Sequence, residues 1–203
     1  MIIEGILTTL NPDGRPNIAA MGATLDMQQI GPDGLWAGFE LKPFGSSRTF
    51  HNLQRHPEGV FHLVDDAELL ARAALSEAEN ARIEKAAAVE GWVLSDSVRA
   101  YEFQLKSADW SETRAHLKAG VIHSHQFRQW SGWNRAQHAV LELTIMATRV
   151  KWLPRNEIQM QLQALKPLIE KTAGPREWAG WHYVVDYLAR QWADGQPREL
   201  LRP

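Results

Sequence analysis

Hydroxyl and guanidinium side chains are concentrated in the segment GSSRTFHNL, residues 45–53. Ser47, Arg48 and Thr49 stand at the predicted start of a short helix, which follows a strand and which Pro57 ends. A helix start presents unpaired backbone N–H groups, and hydroxyl and guanidinium donors beside them complete a site that suits a phosphate group. The same residues are also compatible with a Ser-capped helix that carries one solvated Arg.

A second helix start, WNRA at residues 133–136, combines an indole, an amide and a guanidinium. Asn134 can cap the helix, which needs only one such residue, and Arg135 adds a guanidinium that can bind an anion. The alternative is an ordinary capped helix in which Arg135 pairs with Glu142 on the helix surface. The residues alone leave both interpretations open.

Small residues predominate in the predicted strand PNIAAMGA, residues 16–23. Ala20, Met21 and Gly22 lie at its centre, and a Gly inside a strand allows another group to approach the backbone closely. A flat ligand could lie along such a strand. Tight packing where a barrel closes would favour the same residues.

Two histidines, His123 and His125, share one face of a predicted strand, as the two imidazoles of a metal site would. A metal site needs a third convergent ligand, and the neighbouring sequence offers none, so we assign no metal. The sequence also lacks HExxH, GxSxG and GxxxxGK[ST] motifs. Adjacent Asp65 and Asp66 fit a strand end that leads into a helix N-cap.

The composition limits the classes of function that the chain can have. Its 203 residues are 44% hydrophobic and 23% charged, as in folded globular proteins. The formal net charge of −2 excludes a strongly basic surface at the level of the whole chain, so we expect no nucleic-acid partner. The absence of Cys excludes disulfides, thiolate metal sites and a Cys nucleophile.

The first residues, MIIEGILTTLNPDGRPN, lack a charged region followed by a long apolar core, so we expect no secretory signal. No apolar run approaches the ~20 residues that span a bilayer. We therefore expect a cytoplasmic protein without a membrane partner.

The predicted strands precede most of the predicted helices. An Asp-Gly turn in NPDGR joins the first two strands, and helices follow from Asn134 onward, with Gly174–Pro175 ending one of them. This order predicts an α+β fold, and six or seven short antiparallel strands favour a small barrel. We place the barrel at residues 1–130 and a helical region packed on it at residues 131–203.

Taken together, these segments resemble an uncharacterised protein family of the FMN-binding split-barrel superfamily, related to flavin reductases and pyridoxamine-phosphate oxidases. The resemblance covers most of the chain and is weakest across residues 76–130. The segment from 133 to 149 is its most specific part. It rests on TTLNPDGRPNIAAMG at 8–22, FGSSRTFHNL at 44–53, the pair Asp65–Asp66, and WNRAQHAVLELTIMATR at 133–149.

The resemblance implies a six-stranded antiparallel split barrel, a homodimer, and FMN bound near the dimer interface. It implies that Ser47, Arg48 and Thr49 contact the FMN phosphate and that Asn52 supports their loop. It also implies that the isoalloxazine ring lies along Ala20, Met21 and Gly22 and that Asn134 and Arg135 complete an anion site. The chain departs from the family at Ala20, where relatives often have Pro, and at Trp133, where they often have Phe.

The leading functional hypothesis is an oxidoreductase that uses FMN as its redox cofactor. The alternatives are a flavin-binding module without turnover and a structural dimer without a ligand. Some members of the family that the sequence resembles are associated with methanopterin-linked one-carbon metabolism, which implies a pathway but no particular reaction. Because the flavin carries the redox chemistry, we assign no catalytic acid or base.

Overall fold

The computed structural model of the protein describes residues 1–78 and 80–193. Its strands are β1 (Ile2–Leu10), β2 (Pro16–Thr24), β3 (Gly38–Leu41), β4 (Glu58–Leu63), β5 (Ile83–Lys85), β6 (Trp92–Leu94), β7 (Arg99–Asp109) and β8 (His116–Gln126). Its α-helices are α1 (Arg48–Arg55), α2 (Ala67–Ala74), α3 (Arg135–Ala147), α4 (Arg155–Thr172) and α5 (Pro175–Ala193). A short 3-10 helix spans Met27–Gln29. None of the helices in this part of the chain is long and apolar enough to cross a membrane.

Within the described residues, six strands close into an antiparallel barrel in the order β1-β2-β3-β8-β7-β4. The predicted α+β fold with an antiparallel barrel and a helical C-terminal region is confirmed. β1 and β2 form a long hairpin in which Leu10 pairs with Pro16 next to the turn and Ile2 pairs with Thr24 at the far end. Gly14 in this turn has a φ of 79°, which explains why the Asp-Gly pair predicts the hairpin correctly.

Aromatic side chains fill the interior of the barrel. The rings of Trp36 and Tyr101 are stacked with centroids 4.7 Å apart, and Phe39 meets Phe103 edge to face at 5.3 Å. Phe61 packs against both Trp36 and Phe39. Since the interior is occupied by these rings, any ligand of the barrel must bind at its ends or on its outer surface.

A hairpin of β5 and β6 covers part of the outer face of the barrel and is attached by buried polar side chains. Leu94 N donates to His62 Nε2 at 3.0 Å, and the Thr8 hydroxyl donates to Trp92 O at 2.5 Å. Because Nε2 of His62 is an acceptor, its Nδ1 carries the hydrogen and donates it to Ile6 O at 3.0 Å. Burial of this ring lowers the pKa of His62 to about 4, so the imidazole is neutral at pH 7.

The described chain separates into two compact units. Of the described residues, the barrel unit contains 1–65, 78 and 80–130, and the helical unit contains 66–77 and 131–193. The sequence predicts residues 66–77 as part of the barrel region, within residues 1–130. The structure places them in the helical unit because Ala67, Ala71 and Leu75 pack into the apolar cluster that α3 and α5 also form.

The helical unit is built around α3. Its buried residues Ala136, Ala139, Val140, Leu143 and Ala147 follow the spacing of one helix face, so this face packs into the apolar core of the unit. α2, α4 and α5 contribute the remaining buried residues of this core. Thr172 ends α4, in agreement with the predicted helix end before Gly174–Pro175.

We expect the stability of the protein to depend on pH through His62. The pKa of this imidazole falls from about 6.5 in the unfolded chain to about 4 in the fold. As the pH falls from 6.5 toward 4, the unfolded state gains a proton that the folded state does not bind. The free energy of unfolding should therefore fall by about 3 kcal/mol through this group alone.

Urea denaturation at pH 7 and pH 4.5 measures this effect against a His62→Gln variant, in which the titrating group is absent. The wild type should lose about 2–3 kcal/mol more than the variant over this interval. Equal losses in the two proteins would show that His62 is not buried in its neutral form.

Candidate functional site

The first turn of α1 presents hydrogen-bond donors at the surface of the barrel unit. Ser47 is the N-cap, and its Oγ accepts a hydrogen bond from Phe50 N at 3.1 Å. The amides of Arg48 and Thr49 lie in the first turn, where an α-helix offers no internal acceptor. The Arg48 side chain is exposed, so it is available to an anion bound at this turn. The Ser-capped helix and the anion-binding helix start are therefore compatible with each other.

A network of buried and partly buried amides and hydroxyls attaches α1 to the β1–β2 hairpin. Asn17 donates to Thr49 Oγ1 at 3.1 Å and to Thr9 Oγ1 at 3.3 Å. Asn52 donates to Thr9 Oγ1 at 3.1 Å and to Asn11 Oδ1 at 2.9 Å. These bonds fix the first turn of α1 against the two strands. Asn52, which we expect to support this loop, is buried and is held by both of its bonds.

Thr9, Asn11 and Asn17 are not among the site residues that the sequence predicts. All three lie in TTLNPDGRPN, which contributes to the family resemblance. Polar side chains at the ends of two predicted strands indicate that another element packs there.

β2 lacks a strand partner along most of one edge. It pairs with β1 over its full length, but in the described chain it pairs with β3 only at Ala23 and Thr24. Residues 16–22 therefore have backbone groups on the β3 side that no neighbouring strand bonds. We call this the open edge of β2.

The hydrogen-bond alternation identifies the groups at the open edge. Met1 N donates to Leu25 O at 2.9 Å, and Leu25 N donates to Met1 O at 2.8 Å, so this pair exchanges both bonds. In an antiparallel ladder every second pair does so. By this alternation, the backbone N–H and C=O groups of Met21 bond to β1. Those of Ala20 and Gly22 point to the open edge.

Side-chain alternation gives the same strand a flat outer face. Met21 packs against the apolar core of the barrel, so the neighbouring positions, Ala20 and Gly22, face outward. Ala20 lies three residues along β2 from Asn17, about 10 Å at the usual rise per residue. The Asn17–Thr49 hydrogen bond thus places the start of the open edge beside the first turn of α1.

Asn134 and Arg135, also expected in the site, lie in the helical unit at the start of α3. The Asn134 side chain accepts a hydrogen bond from Ala136 N at 2.7 Å and donates one to Thr172 O at 3.2 Å. Asn134 therefore caps α3 and ties it to the end of α4. Arg135 is exposed, and the described partner of the Glu142 carboxylate is the His138 ring, at 3.9 Å, rather than Arg135.

A buried carboxylate, Glu102, lies beside the histidine pair for which the sequence offered no third ligand. Potential ligand atoms of Glu102, His123 and His125 lie within 4.8 Å of one another. Burial opposes ionisation of Glu102, but hydrogen bonds from His125 and from three backbone amides outweigh it and hold its pKa below the usual value. Glu102 and His123 are cross-strand partners, which the linear sequence does not reveal.

Two family models match the sequence. Residues 3–128 match the model described as protein of unknown function (DUF447) N-terminal domain, and residues 134–186 match the model described as protein of unknown function (DUF447). No curated protein matches the sequence.

Several solved structures are similar to this chain. An FMN-bound protein from Methanosarcina mazei, assigned to the same family model, is 18% identical over 92% of this chain and 94% of its own, with a TM-score of 0.77. The 2-nitrobenzoate 2-nitroreductase of Pseudomonas fluorescens is 17% identical over 61% of this chain and 64% of its own, with a TM-score of 0.51. The flavoredoxin of Desulfovibrio vulgaris is 14% identical over 62% of this chain and 69% of its own, with a TM-score of 0.51. At these sequence identities, the similarity shows a shared fold and nothing more.

Proposed function

The chain belongs to the DUF447 family of proteins of unknown function, and from this premise we propose that it is an FMN-binding flavoprotein that uses the flavin in an oxidoreductase reaction. The open edge of β2 beside the first turn of α1 is the observation that carries the proposal. A solved structure assigned to the same family model has FMN bound and has the same fold over nearly its whole length, which supports this choice of ligand.

The FMN phosphate is assigned to the first turn of α1. A phosphate monoester carries between about one and two negative charges at neutral pH and needs several donors. The Arg48 and Thr49 amides, the Ser47 and Thr49 hydroxyls and the Arg48 guanidinium supply them. The positive end of the helix dipole adds to the attraction. Asn17 and Asn52 act indirectly, because they hold the helix start in place.

The isoalloxazine ring is assigned to the open edge of β2. Its pyrimidine side alternates hydrogen-bond acceptors with an N–H donor, which complements the outward N–H and C=O groups of Ala20 and Gly22. The small side chains at these two positions leave room for a flat ring. Once bound, the flavin supplies the redox chemistry, and the residues of this chain bind and orient it.

The proposal favours FMN over FAD and riboflavin. The first turn of α1 is compact and suits one terminal phosphate, and the sequence has no GxGxxG turn for a pyrophosphate. Riboflavin lacks the phosphate and loses the contacts at α1.

Arg48→Ala should weaken FMN binding by about 1.5–3 kcal/mol, the usual contribution of a hydrogen bond to a charged group, and should leave riboflavin binding nearly unchanged. Arg48→Lys should restore part of the loss, because a point charge replaces the planar guanidinium. Isothermal titration calorimetry with both ligands measures the difference. Equal losses for FMN and riboflavin would place the phosphate elsewhere.

Arg135 is our second candidate for a phosphate contact, and the same titrations test it. Arg135→Ala should weaken FMN more than riboflavin, whereas Arg149→Ala, an exposed Arg beyond the other end of α3, should change neither affinity. An Arg135→Ala variant that behaves like Arg149→Ala would remove Arg135 from the site.

The oxidoreductase part of the proposal is tested by anaerobic reduction of the FMN-loaded protein with NADH and with NADPH. We expect bleaching of the flavin absorbance by one of them and its recovery with an electron acceptor. FMN that binds tightly but is reduced by neither would support the flavin-binding module without turnover.

A homodimer in the cytoplasm remains our expectation. Among the described residues, large apolar side chains such as Ile2, Trp133 and Trp152 are more than half exposed, which supports self-association. Light scattering should give twice the chain mass of 23.0 kDa. A mass of 23.0 kDa at micromolar concentration would contradict the dimer.

A further inference from the structure

We propose that Glu102, His123 and His125 form a binding site for a divalent transition metal ion, with Zn²⁺ as the best-suited ion. The site lies on β7 and β8, on the outer face of the barrel, and is distinct from the residues assigned to the flavin. Two imidazoles and one carboxylate are a common ligand set for zinc in proteins.

The strand register brings these side chains together. His123 is the cross-strand partner of Glu102, and His125 lies two residues further along β8, on the same face. A register irregularity follows directly after Glu102, and such bulges redirect side chains at functional sites. His125 Nε2 lies 2.6 Å from Glu102 Oε1, and the two imidazole centroids are 4.6 Å apart.

The carboxylate of Glu102 is oriented before any ion arrives. Its Oε1 accepts from Ala87 N at 2.7 Å, and its Oε2 accepts from Ala88 N at 2.6 Å and from Val89 N at 2.9 Å. These three amides use one acceptor position on Oε1 and two on Oε2. The remaining position of Oε1 points to His125. Outer partners of this kind fix metal ligands and raise the affinity of a site.

The imidazole of His125 is also held in place. The ring of Phe127 stacks parallel to it, with centroids 5.6 Å apart and planes 4° apart. An ion between His125 and Glu102 would replace the hydrogen of their hydrogen bond. Tetrahedral zinc separates two ligand atoms by about 3.4 Å, so His125 would move by about 1 Å.

The third ligand makes the site accessible. His123 is exposed, so an ion can enter from solvent, and its ligand atom already lies within 4.8 Å of those of the other two residues. Three protein ligands leave the fourth position of a tetrahedral zinc ion to water. An ordinary ion pair between His125 and Glu102 would need no contribution from His123, and this difference separates the two interpretations.

The full-length protein, dialysed against a chelator, is titrated with Zn²⁺ by calorimetry. We expect one Zn²⁺ per chain and a loss of affinity of more than about 100-fold in His123→Ala and in His125→Ala, above the usual effect of an outer partner. His116→Ala is the matched control, since His116 is exposed on the same strand but outside the cluster. It should bind Zn²⁺ like the wild type.

His123→Ala is the decisive variant, because the exposed side chain is not needed to hold the fold. The absence of stoichiometric binding in the wild type would overturn the proposal. Unchanged affinity in His123→Ala, or an equal loss in His116→Ala, would also overturn it by showing that surface histidines bind the ion without this cluster.

Discussion

In the part of the chain that the structure describes, β2 has a strand partner along one edge for its whole length and along the other edge at two residues only. Backbone N–H and C=O groups need partners, and unpaired strand edges attract other chains or ligands. The location of the candidate flavin site follows from this incomplete pairing. The small outward residues Ala20 and Gly22 allow a flat group to reach those backbone groups, where larger side chains would obstruct it.

The aromatic interior of the barrel explains why binding chemistry lies outside it. Trp36, Phe61 and Tyr101 pack against one another and leave the interior to side chains. Polar side chains that are buried between the barrel and the elements covering it hold those elements in place. The Thr9 network fixes α1, whereas His62 and Glu102 fix the β5–β6 hairpin and the loop between its strands. The barrel is therefore a scaffold whose outer layers are positioned by a few specific hydrogen bonds.

Local features of the fold were predictable from the sequence because they depend on neighbouring residues. Ser47 caps α1 and Gly14 forms the hairpin turn, as their residue types indicate. Features that depend on pairing between residues far apart in the sequence were not predictable. The polar, Ala-rich sequence of residues 76–90 favours a helix or a connector, yet Ile83–Lys85 forms β5, whose pairing with β6 determines its conformation.

Prediction of the candidate sites from the sequence is limited in the same way. The sequence indicates the segments of the candidate flavin site, but the hydrogen bond between Asn17 and Thr49 joins residues 32 positions apart. The shortness of β3, which leaves the edge of β2 open, is a tertiary feature as well. Glu102 becomes a candidate ligand only through its register with His123. Asn134 caps α3, as its residue type indicates, and its place in an anion site stays a prediction.

The central claim, that the open edge of β2 binds the isoalloxazine ring, is tested most directly by residue-resolved amide exchange in NMR spectra during an FMN titration. The amides of Ala20 and Gly22 should exchange freely without FMN and become protected as it binds. The amide of Met21, already bonded to β1, should be protected throughout. Saturation with FMN that leaves the Ala20 and Gly22 amides unprotected would contradict the account.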